Sequence, residues 1–391
     1  CFSSDNNYAK YLAVTINSII MNSNKNYYYE IYILDNNIDN ENKSRILAMS
    51  TNNIFICFIN INNYIINIDK NIFYIWGHFS ISAYYRFFIP RIFYNFDRLL
   101  YLDCDLVVLD DLVDLYFSKK LDEKLMLVVH DSIVYLNNQI KEYNSEYWND
   151  YLLNKLKLKN IDNYFQSGVL LFNIKKCFDF NLEKKSLEKL KIIDSPLYLD
   201  QCILNAVCEN NIDYLDLNYN VEWFLPIYLN INNINKYKNS KDYYENQYLK
   251  AYNSPKILHY CGHEKPWTHP HYSKSYIWWE YARMTSFYEE IIYKHTNINN
   301  ISNINNIRNY NRFSLADFIF SFLNRDDLLE IIIIGIRIKI KKKELCNDKY
   351  DCFIDRILSI YQNDKYKRIT ILGIKIKTRQ DKTRQDKTRH N

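Results

Sequence analysis

The sequence predicts an α/β protein with a mostly parallel central sheet flanked by helices, followed by a basic C-terminal extension. Short apolar runs of strand length alternate with helical patterns over residues 1–290, an order that indicates βαβ units. Polar clusters follow four of these runs, and ligands of open α/β sheets bind where strands end. The 391 residues exceed one typical domain, so we expect one large domain with appendages.

The predicted elements follow in chain order. Cys1 stands inside an apolar run, so we expect part of the first strand to be missing. The helical pattern YAKYLAVTINSII comes next, and Asp5 or Asn6 could cap it. Later strands are predicted at 30–35, 53–60, 98–103, 124–131, 164–174 and 256–260, and later helices at 40–49, 80–89, 182–191 and 199–209. The polar clusters at 3–7, 103–105, 130–131 and 259–267 are expected to share one cleft.

Two aspartates, Asp103 and Asp105, interrupt the apolar run RLLYLDCDLVVL at residues 98–109. A buried carboxylate pairs, protonates or binds a cation, and no lysine or arginine is nearer in sequence than Arg98. Side chains at i and i+2 of a strand point the same way, so both could meet one cation or one hydroxyl-bearing ligand. Acids that simply face water at a strand end are the alternative.

The charge is distributed unevenly along the chain. Residues 331–391 hold 17 Lys and Arg against 7 Asp and Glu, a net charge of +10 that leaves −5 for the first 330 residues. This tail contains two similar segments, IIIIGIRIKIKKK and ITILGIKIKT, and ends in KTRQD repeats that have little to bury. The predicted division is therefore a domain at 1–290, a linker at 291–330 and a basic, partly disordered extension at 331–391.

The nine cysteines have neither C-x-x-C nor zinc-finger spacing, which favours free thiols in a reducing compartment such as the cytoplasm. No apolar run reaches the roughly 18 residues that a membrane span needs.

Six segments together resemble glycosyltransferase family 8, whose members are retaining enzymes of the GT-A fold. They are SSDNNYAKYLAVTINSI, ISAYYRFFIPRIF, DRLLYLDCDLVV, FQSGVLLFNIKKC, LYLDQCILNAV and HYCGHEKPW, in the order of the family. The D-x-D is a weak signal alone, but its combination with the distal HYCGHEKPW is strong. The resemblance covers roughly residues 1–285 and implies a single nucleotide-sugar-binding domain.

The resemblance implies a UDP-sugar donor, UDP-galactose or UDP-glucose, and a divalent cation. Asp103, Asp105 and His259 match the metal ligands of the family. Carboxylate oxygens suit Mg²⁺ or Mn²⁺, and the imidazole favours Mn²⁺. The cation would neutralise charge on the departing UDP as a Lewis acid.

The same match assigns the contacts of the donor. Lys265, Gly262 and His78 correspond to residues near the diphosphate, and Asp5 and Asn7 to residues that read the base and ribose. The resemblance also places Ser3 beside Asp5 and Asn7, and the backbone of Cys104 at the ribose. Arg86 would contact the donor and the acidic end of the strand. Asp131 and Gln166 would contact the donor sugar. Many family members have Asn at the position of Gln166, and the side chain of Gln is one methylene longer. The resemblance therefore does not predict which donor sugar this chain selects.

Asp200 and Gln201 match the catalytic pair beside the donor sugar. Retention can arise by two displacements through a covalent intermediate, which needs a nucleophile within reach, or by attack from the leaving-group face. We favour the second because an amide such as Gln201 is a poor nucleophile.

The expected acceptor is a cell-surface glycan such as lipopolysaccharide core. The basic tail, with Trp278, Trp279 and Lys341 to Lys343, could bind the cytoplasmic face of the inner membrane, each basic residue contributing about 1 kcal/mol. A glycogenin-like self-glucosylating transferase and a non-catalytic nucleotide-sugar-binding protein remain alternatives. Nucleic acid is not an expected partner, because the tail has few aromatic residues among its charges.

Overall fold

The computed structural model describes residues 1–77, 80–139, 146–228 and 238–296, together with the backbone of six strands between residues 320 and 379. The chain divides into two compact units, Cys1–Ile298 and Asn299–Asn391.

The described residues of the first unit form three sheets, and the first of them is parallel. Strands β1, β2 and β3 lie side by side, with Phe2 opposite Ile33 and Tyr29 opposite Ile54. The strands of the unit are β1 (Phe2–Asp5), β2 (Tyr29–Asn36), β3 (Ile54–Asn60), β4 (Arg98–Leu102), β5 (Leu106–Val108), β6 (Met126–His130), β7 (Phe165–Asn173), β8 (Ile212–Tyr214), β9 (Val221–Glu222) and β10 (Ile257–His259). The βαβ arrangement predicted for the N-terminal part is therefore confirmed.

The other two sheets are mixed, in the orders β4-β7-β6-β8 and β5-β10-β9. Four of the seven strand pairings described for this unit are parallel, and the antiparallel ones join β7 to β4 and β6, and β10 to β5. Cys1 connects the parallel sheet to β4, because its amino group donates to Leu100 O (2.7 Å) and its carbonyl accepts from Leu102 N (3.0 Å). The α/β fold with central sheets flanked by helices is confirmed.

The helices that the sequence predicted lie close to their expected positions, and the structure contains others that the sequence did not predict. The α-helices are α1 (Ala9–Asn22), α2 (Asn40–Leu47), α3 (Asn62–Ile65), α4 (Ile89–Ile92), α5 (Val113–Tyr116), α6 (Ser132–Gln139), α7 (Glu146–Asp150), α8 (Ile174–Asp179), α9 (Leu182–Ile193), α10 (Leu199–Cys208), α11 (Leu225–Tyr228), α12 (Lys238–Tyr243), α13 (Leu249–Asn253), α14 (Ser275–Ala282) and α15 (Tyr288–Thr296). The predicted helix 80–89 is a 3₁₀-helix, Ile81–Phe88, that leads into α4. No side chain caps α1, and Asp5 instead accepts from Tyr8 N (3.1 Å) in the preceding turn.

Two apolar clusters pack on opposite sides of the central strands. On β4, Leu100 and Leu102 belong to one cluster, and Leu99 and Tyr101 belong to the other. Alternate residues of a strand face opposite sides of the sheet, so β4 is covered on both faces. Such a strand holds the polar turn that follows it firmly in place.

The described strands of the second unit form two antiparallel three-stranded sheets. They are formed by β11 (Phe320–Asn324), β12 (Leu328–Ile333) and β13 (Ile336–Lys341), and by β14 (Leu358–Gln362), β15 (Tyr366–Ile371) and β16 (Ile374–Arg379). Each strand of the second sheet begins 38 residues after its counterpart in the first. The two similar segments of the sequence thus lie at equivalent positions of two repeated sheets, where they contribute to the second and third strands. Lys342, Lys343 and the KTRQD repeats lie outside the described residues.

The two tryptophans proposed for a membrane surface lie on α14. Trp278 is fully buried against the core, so its predicted membrane contact is wrong. Its neighbour Trp279 is partly buried and donates from Nε1 to Pro266 O (2.9 Å). Packing of α14 on α1 explains the burial, since it covers the face that carries Trp278. Among the described helices, none has the length and apolar character needed to cross a bilayer.

Candidate active site

A cavity of about 750 Å³ opens in the first unit, at the ends of the central strands. Each of the four predicted polar clusters contributes to its lining, through Asp5, Asp103, Asp131 and His259. The shared cleft that the sequence predicted is therefore present. His130, by contrast, does not line it, because its ring stacks on Tyr214 with a centroid distance of 3.7 Å.

Three side chains in this cavity form a group that could hold a metal ion. One ligand atom from each of Asp103, Asp105 and His259 lies within 4.8 Å of the others. His259 Nε2 is 3.2 Å from Asp105 Oδ1 and 3.8 Å from Asp103 Oδ2. Two carboxylates and an imidazole form a donor set that fits Mn²⁺ or Mg²⁺. It is the one such group found in the described part of the chain.

The two aspartates do not converge in the way expected from an extended strand. Strand β4 ends at Leu102, and Asp103 to Asp105 form a turn before β5. Two backbone bonds fix this turn, from Asp103 N to Gly168 O (2.9 Å) and from Tyr260 N to Asp105 O (2.9 Å). Hydrogen bonds to residues on or beside neighbouring strands therefore direct both carboxylates toward His259. The alternation of side chains along a single extended strand does not explain their position.

His259 is fixed from its far side. The ring is 1% exposed, and Nδ1 bonds Asn220 Oδ1 at 2.9 Å. With a cation in place, a proton on Nδ1 donated to Asn220 would leave the lone pair of Nε2 for that cation, and such outer partners orient metal-binding histidines. Gly168 packs on the same ring, since a Cβ there would lie 2.2 Å from His259 Cε1.

Lys265, the predicted diphosphate ligand, lies beside the metal-binding group. Its ammonium donates to Asp105 Oδ2 and to Tyr260 O (2.8 Å), and the residue is only 5% exposed. Burial opposes the charge of Asp105, but Lys265 and His259 outweigh it and lower the pKa of the carboxyl. Burial likewise opposes the charge of Lys265, and Asp105 raises its pKa above the ordinary value. Both groups are therefore held in their charged forms.

Arg86 contacts the acidic turn, as predicted, and joins it to α10. Its guanidinium donates from Nη2 to Asp103 Oδ1 (3.0 Å), from Nη1 to Ser167 O, and from Nε to Ala83 O (2.9 Å). Nε also lies 3.0 Å from Asp200 Oδ2. Because the Nε–H is directed at Ala83, this contact is an ion pair without a hydrogen bond. Asp200 Oδ2 is accordingly a buried oxygen that lacks a hydrogen-bond donor.

The predicted catalytic pair, Asp200 and Gln201, lies at the start of α10 and lines the cavity. Burial raises the pKa of Asp200 to about 7, with Arg86 opposing the shift. Gln201 is bonded at both ends of its amide, since Oε1 accepts from Ser167 N (3.0 Å) and Nε2 donates to Asp131 Oδ2 (3.0 Å). Gln201 thus connects Asp131 to the strand that carries Ser167.

Two further predicted sugar contacts, Asp131 and Gln166, also line the cavity. Burial raises the pKa of Asp131 to about 6. Asp131 Oδ1 accepts from Val134 N (2.8 Å) at the first turn of α6. The amide oxygen of Gln166 accepts from Gly168 N and from Asn220 Nδ2 (2.8 Å), so this longer side chain supports the residue that orients His259.

The predicted nucleoside end contains Ser3, Asp5 and Cys104, all of which line the cavity. The Ser3 hydroxyl donates to Ser82 O (2.7 Å), and Asp5 Oδ2 accepts from Ser80 Oγ (2.9 Å). Asn7 is exposed and is not among the lining residues. At the predicted diphosphate end, Gly262 adopts φ +87°, which strongly favours glycine. His78 lies outside the described residues.

Several lining or supporting residues had no signal in the sequence. Glu222 follows no recognisable pattern because β9 has only two residues, and Asn220 precedes it in an irregular segment. Tyr8 lines the cavity one position after Asn7, and the helical pattern gave it no role. Gly168 lies in the segment FQSG that the family resemblance includes, so the sequence could have marked it as a site residue. Its close packing against His259 explains why glycine is needed at this position.

The fold and this site together define a glycosyltransferase of the GT-A type. The model of the family "Glycosyl transferase family 8" matches residues 1–270, and the chain belongs to this family. The predicted enzyme class, a hexosyltransferase of family 8, is thereby confirmed.

Three comparisons place the chain among characterised proteins. The lipopolysaccharide 1,2-glucosyltransferase of Escherichia coli (strain K12) is 26% identical over 270 residues, which cover 67% of this chain and 70% of that protein. The bifunctional glycosyltransferase WbbM in its apo form is 28% identical with a TM-score of 0.62, over 75% of this chain and half of WbbM. The galactosyltransferase LgtC with donor and acceptor sugar analogues is 24% identical with a TM-score of 0.54, over 73% of this chain and 95% of LgtC, and it supports the fold alone.

Proposed function

We propose that the protein transfers a hexose from UDP-galactose or UDP-glucose to a cell-surface glycan, with retention of configuration and with Mn²⁺ or Mg²⁺ as cofactor. The observation that carries this proposal is the convergence of Asp103, Asp105 and His259 in a cavity that also contains Asp200. The residues fit a divalent cation and a donor whose leaving group is a diphosphate. A cation bound there would supply Lewis-acid neutralisation of the departing UDP.

Different residues of the cavity would bind different parts of the donor. The ring of Tyr8 and the carboxyl of Asp5 would hold the base and ribose at one end. Lys265, whose ammonium pairs with Asp105, is close enough to the metal-binding group that it would also donate to the diphosphate. Asp200 Oδ2 would accept from a hydroxyl of the donor sugar, which would complete its hydrogen bonding.

The chemistry that fits these groups is attack from the leaving-group face. Gln201 has both amide atoms engaged and no acidic oxygen, so it would not form a covalent intermediate. The acceptor oxygen would bond to the anomeric carbon as the bond from that carbon to UDP breaks. The acceptor proton would pass to the leaving UDP oxygen.

The experiment that tests the proposal is UDP release from a panel of UDP-sugars in the presence of Mn²⁺, Mg²⁺ or EDTA. We expect slow hydrolysis of one donor without any acceptor, with loss of at least 90% of the rate in EDTA. Equal release in EDTA would exclude the metal-assisted reaction. If no donor is cleaved and calorimetry detects no binding of UDP, the cavity is not a donor site.

We propose the acceptor and the membrane association from a named relative and from the charge of the C-terminal segment. The E. coli relative is named for lipopolysaccharide, and a lipid-linked glycan at the cytoplasmic face of the inner membrane would suit the +10 charge of residues 331–391. Deletion of residues 331–391 is expected to reduce binding to vesicles of anionic lipid at least tenfold in a sedimentation assay. Equal binding by the truncated and full-length chains would reject membrane attachment through this segment.

A further inference from the structure

Gln166 and Asn220 form a chain of hydrogen bonds that ends at the metal-binding group. The amide oxygen of Gln166, on β7, accepts from Gly168 N and from Asn220 Nδ2, the latter at 2.8 Å. Asn220 Oδ1 in turn lies 2.9 Å from His259 Nδ1. Gln166 is 8% exposed, Asn220 2% and His259 1%. The chain is therefore largely shielded from water, and its members depend on one another for hydrogen bonds.

A backbone group sets the polarity of this chain. The N–H of Gly168 can only donate, so the amide atom of Gln166 that faces it must be the oxygen. The same oxygen faces the amide of Asn220, which must therefore present its NH₂ group there. The oxygen of Asn220 is then left for Nδ1 of His259. Because an amide oxygen only accepts, Nδ1 must carry a proton.

This polarity decides which nitrogen of His259 a cation could use. An imidazole with its proton on Nδ1 can offer the lone pair of Nε2. Nε2 is the nitrogen that lies 3.2 Å from Asp105 Oδ1 and 3.8 Å from Asp103 Oδ2. If the amide of Asn220 turned over, its NH₂ group would face Nδ1. The proton of the neutral ring would then lie on Nε2, and a cation would lose the imidazole as a ligand.

The contacts of Gln166 differ from those expected of a residue that binds the donor sugar. An amide oxygen has two lone pairs, and the bonds from Gly168 N and Asn220 Nδ2 use both of them. This oxygen could accept from a sugar hydroxyl only if one of those bonds were given up. Its place in the chain to His259 accounts for both bonds without any ligand.

We propose that Gln166 is a positioning residue of the metal site, which holds Asn220 in the one orientation that leaves His259 Nε2 free for the cation. This inference rests on the proposed function and adds to it a route by which Gln166 acts, through Asn220 on a metal ligand rather than on the donor sugar. Metal affinity should therefore depend on the amide oxygen of Gln166 even when no sugar is bound.

The test is calorimetric binding of UDP to the full-length protein at increasing Mn²⁺ concentrations, which yields an apparent affinity for Mn²⁺. UDP carries no sugar, so the loss of a sugar contact cannot alter this affinity. Gln166→Met has a side chain of similar length without the oxygen, and it should weaken apparent Mn²⁺ binding about tenfold, the lower end of the range for outer partners of a metal site. Gln166→Glu keeps an oxygen that can accept from both donors and should stay within about threefold of the wild type.

A double variant shows whether Gln166 acts through Asn220. Asn220→Leu should weaken apparent Mn²⁺ binding at least about tenfold. Adding Gln166→Met to it should cost less than about twofold more, because the chain is already broken and the two changes are then not additive in free energy.

Two further variants protect the test. Gln166→Asn replaces Gln166→Met if the latter does not fold, since its oxygen is withdrawn from Asn220 by one methylene and the same tenfold loss is expected. Gln139→Met is the matched control. Gln139 also makes a side-chain hydrogen bond, from Nε2 to Asp162 Oδ1 at 3.0 Å, but does not line the cavity, so this variant should bind Mn²⁺ as the wild type does.

Three results would overturn the inference. They are wild-type affinity for Mn²⁺ in Gln166→Met or its Asn replacement, an equal loss in Gln166→Glu and Gln166→Met, and full additivity of the two losses in the double variant. The proposed function would survive each of them. A wild type that does not bind UDP, or that binds it equally with and without Mn²⁺ and Mg²⁺, would instead overturn the metal-assisted function on which the inference rests.

Discussion

Asp105→Asn is expected to reduce metal-dependent UDP release more than about 100-fold, beyond the 10–100-fold typical of changes to outer partners of a metal site. Asp105 Oδ1 lies 3.2 Å from His259 Nε2, and the carboxyl is the partner of the buried Lys265 ammonium. The amide retains an oxygen for Lys265 but removes the charge that both a cation and the lysine need. The measurement is UDP release against Mn²⁺ concentration, with the Mn²⁺ affinity taken from calorimetry.

The same substitution should also lower stability, because it leaves a buried ammonium without a counter-charge. Breaking a buried pair in this way costs about 3–5 kcal/mol. The assays must therefore be run well below the melting temperature of the variant. Asp122→Asn is the control, since Asp122 is largely exposed and lies 3.8 Å from Arg98, outside the cavity. Wild-type affinity for Mn²⁺ in folded Asp105→Asn would show that Asp105 is not a metal ligand.

Gly168→Ala is expected to weaken Mn²⁺ binding by about 10–100-fold, the range for residues that orient a metal ligand. The added methyl would lie 2.2 Å from His259 Cε1 and 2.8 Å from Nδ1. The imidazole would have to move, which breaks its 2.9 Å bond with Asn220 and misdirects Nε2. Overpacking of this kind also costs about 1–3 kcal/mol of stability. Calorimetric titration with Mn²⁺ and thermal unfolding measure the two effects.

A double variant distinguishes this clash from a general loss of folding. Gly168→Ala combined with His259→Ala removes the ring that the methyl would approach most closely, at 2.2 Å, and leaves the 2.8 Å approach to Gln166 Oε1. The double variant should melt at a higher temperature than Gly168→Ala alone, while Mn²⁺ binding stays lost because the ligand is absent. If Gly168→Ala binds Mn²⁺ as the wild type does, the close packing of the glycine on His259 does not control the metal site.

The hydrophobic pattern of the sequence was enough to determine the longer strands and the longest helices of the first unit, but it missed short elements such as β5, β8 and β9. The strand predicted at 98–103 is Arg98–Leu102, and the helix predicted at 182–191 is Leu182–Ile193. The pattern succeeds there because these segments are buried on one or both faces and are bounded by polar residues. The metal-binding group was found differently, since Asp103, Asp105 and His259 were recognised through segments that resemble a family.

Only the tertiary structure decided how the site is supported and which residues complete it. Glu222 and Asn220 enter the cavity through β9 and the segment before it, where no periodicity exists and pairing with β10 sets the position. Trp278 is buried because α14 packs on α1. The local sequence around Trp278 was equally compatible with a position at a lipid interface. Local sequence specifies which residues are apolar and which are charged. Contacts between residues far apart in the sequence, such as Asp105 with His259 and Lys265, decide which charged side chains lie together in the site.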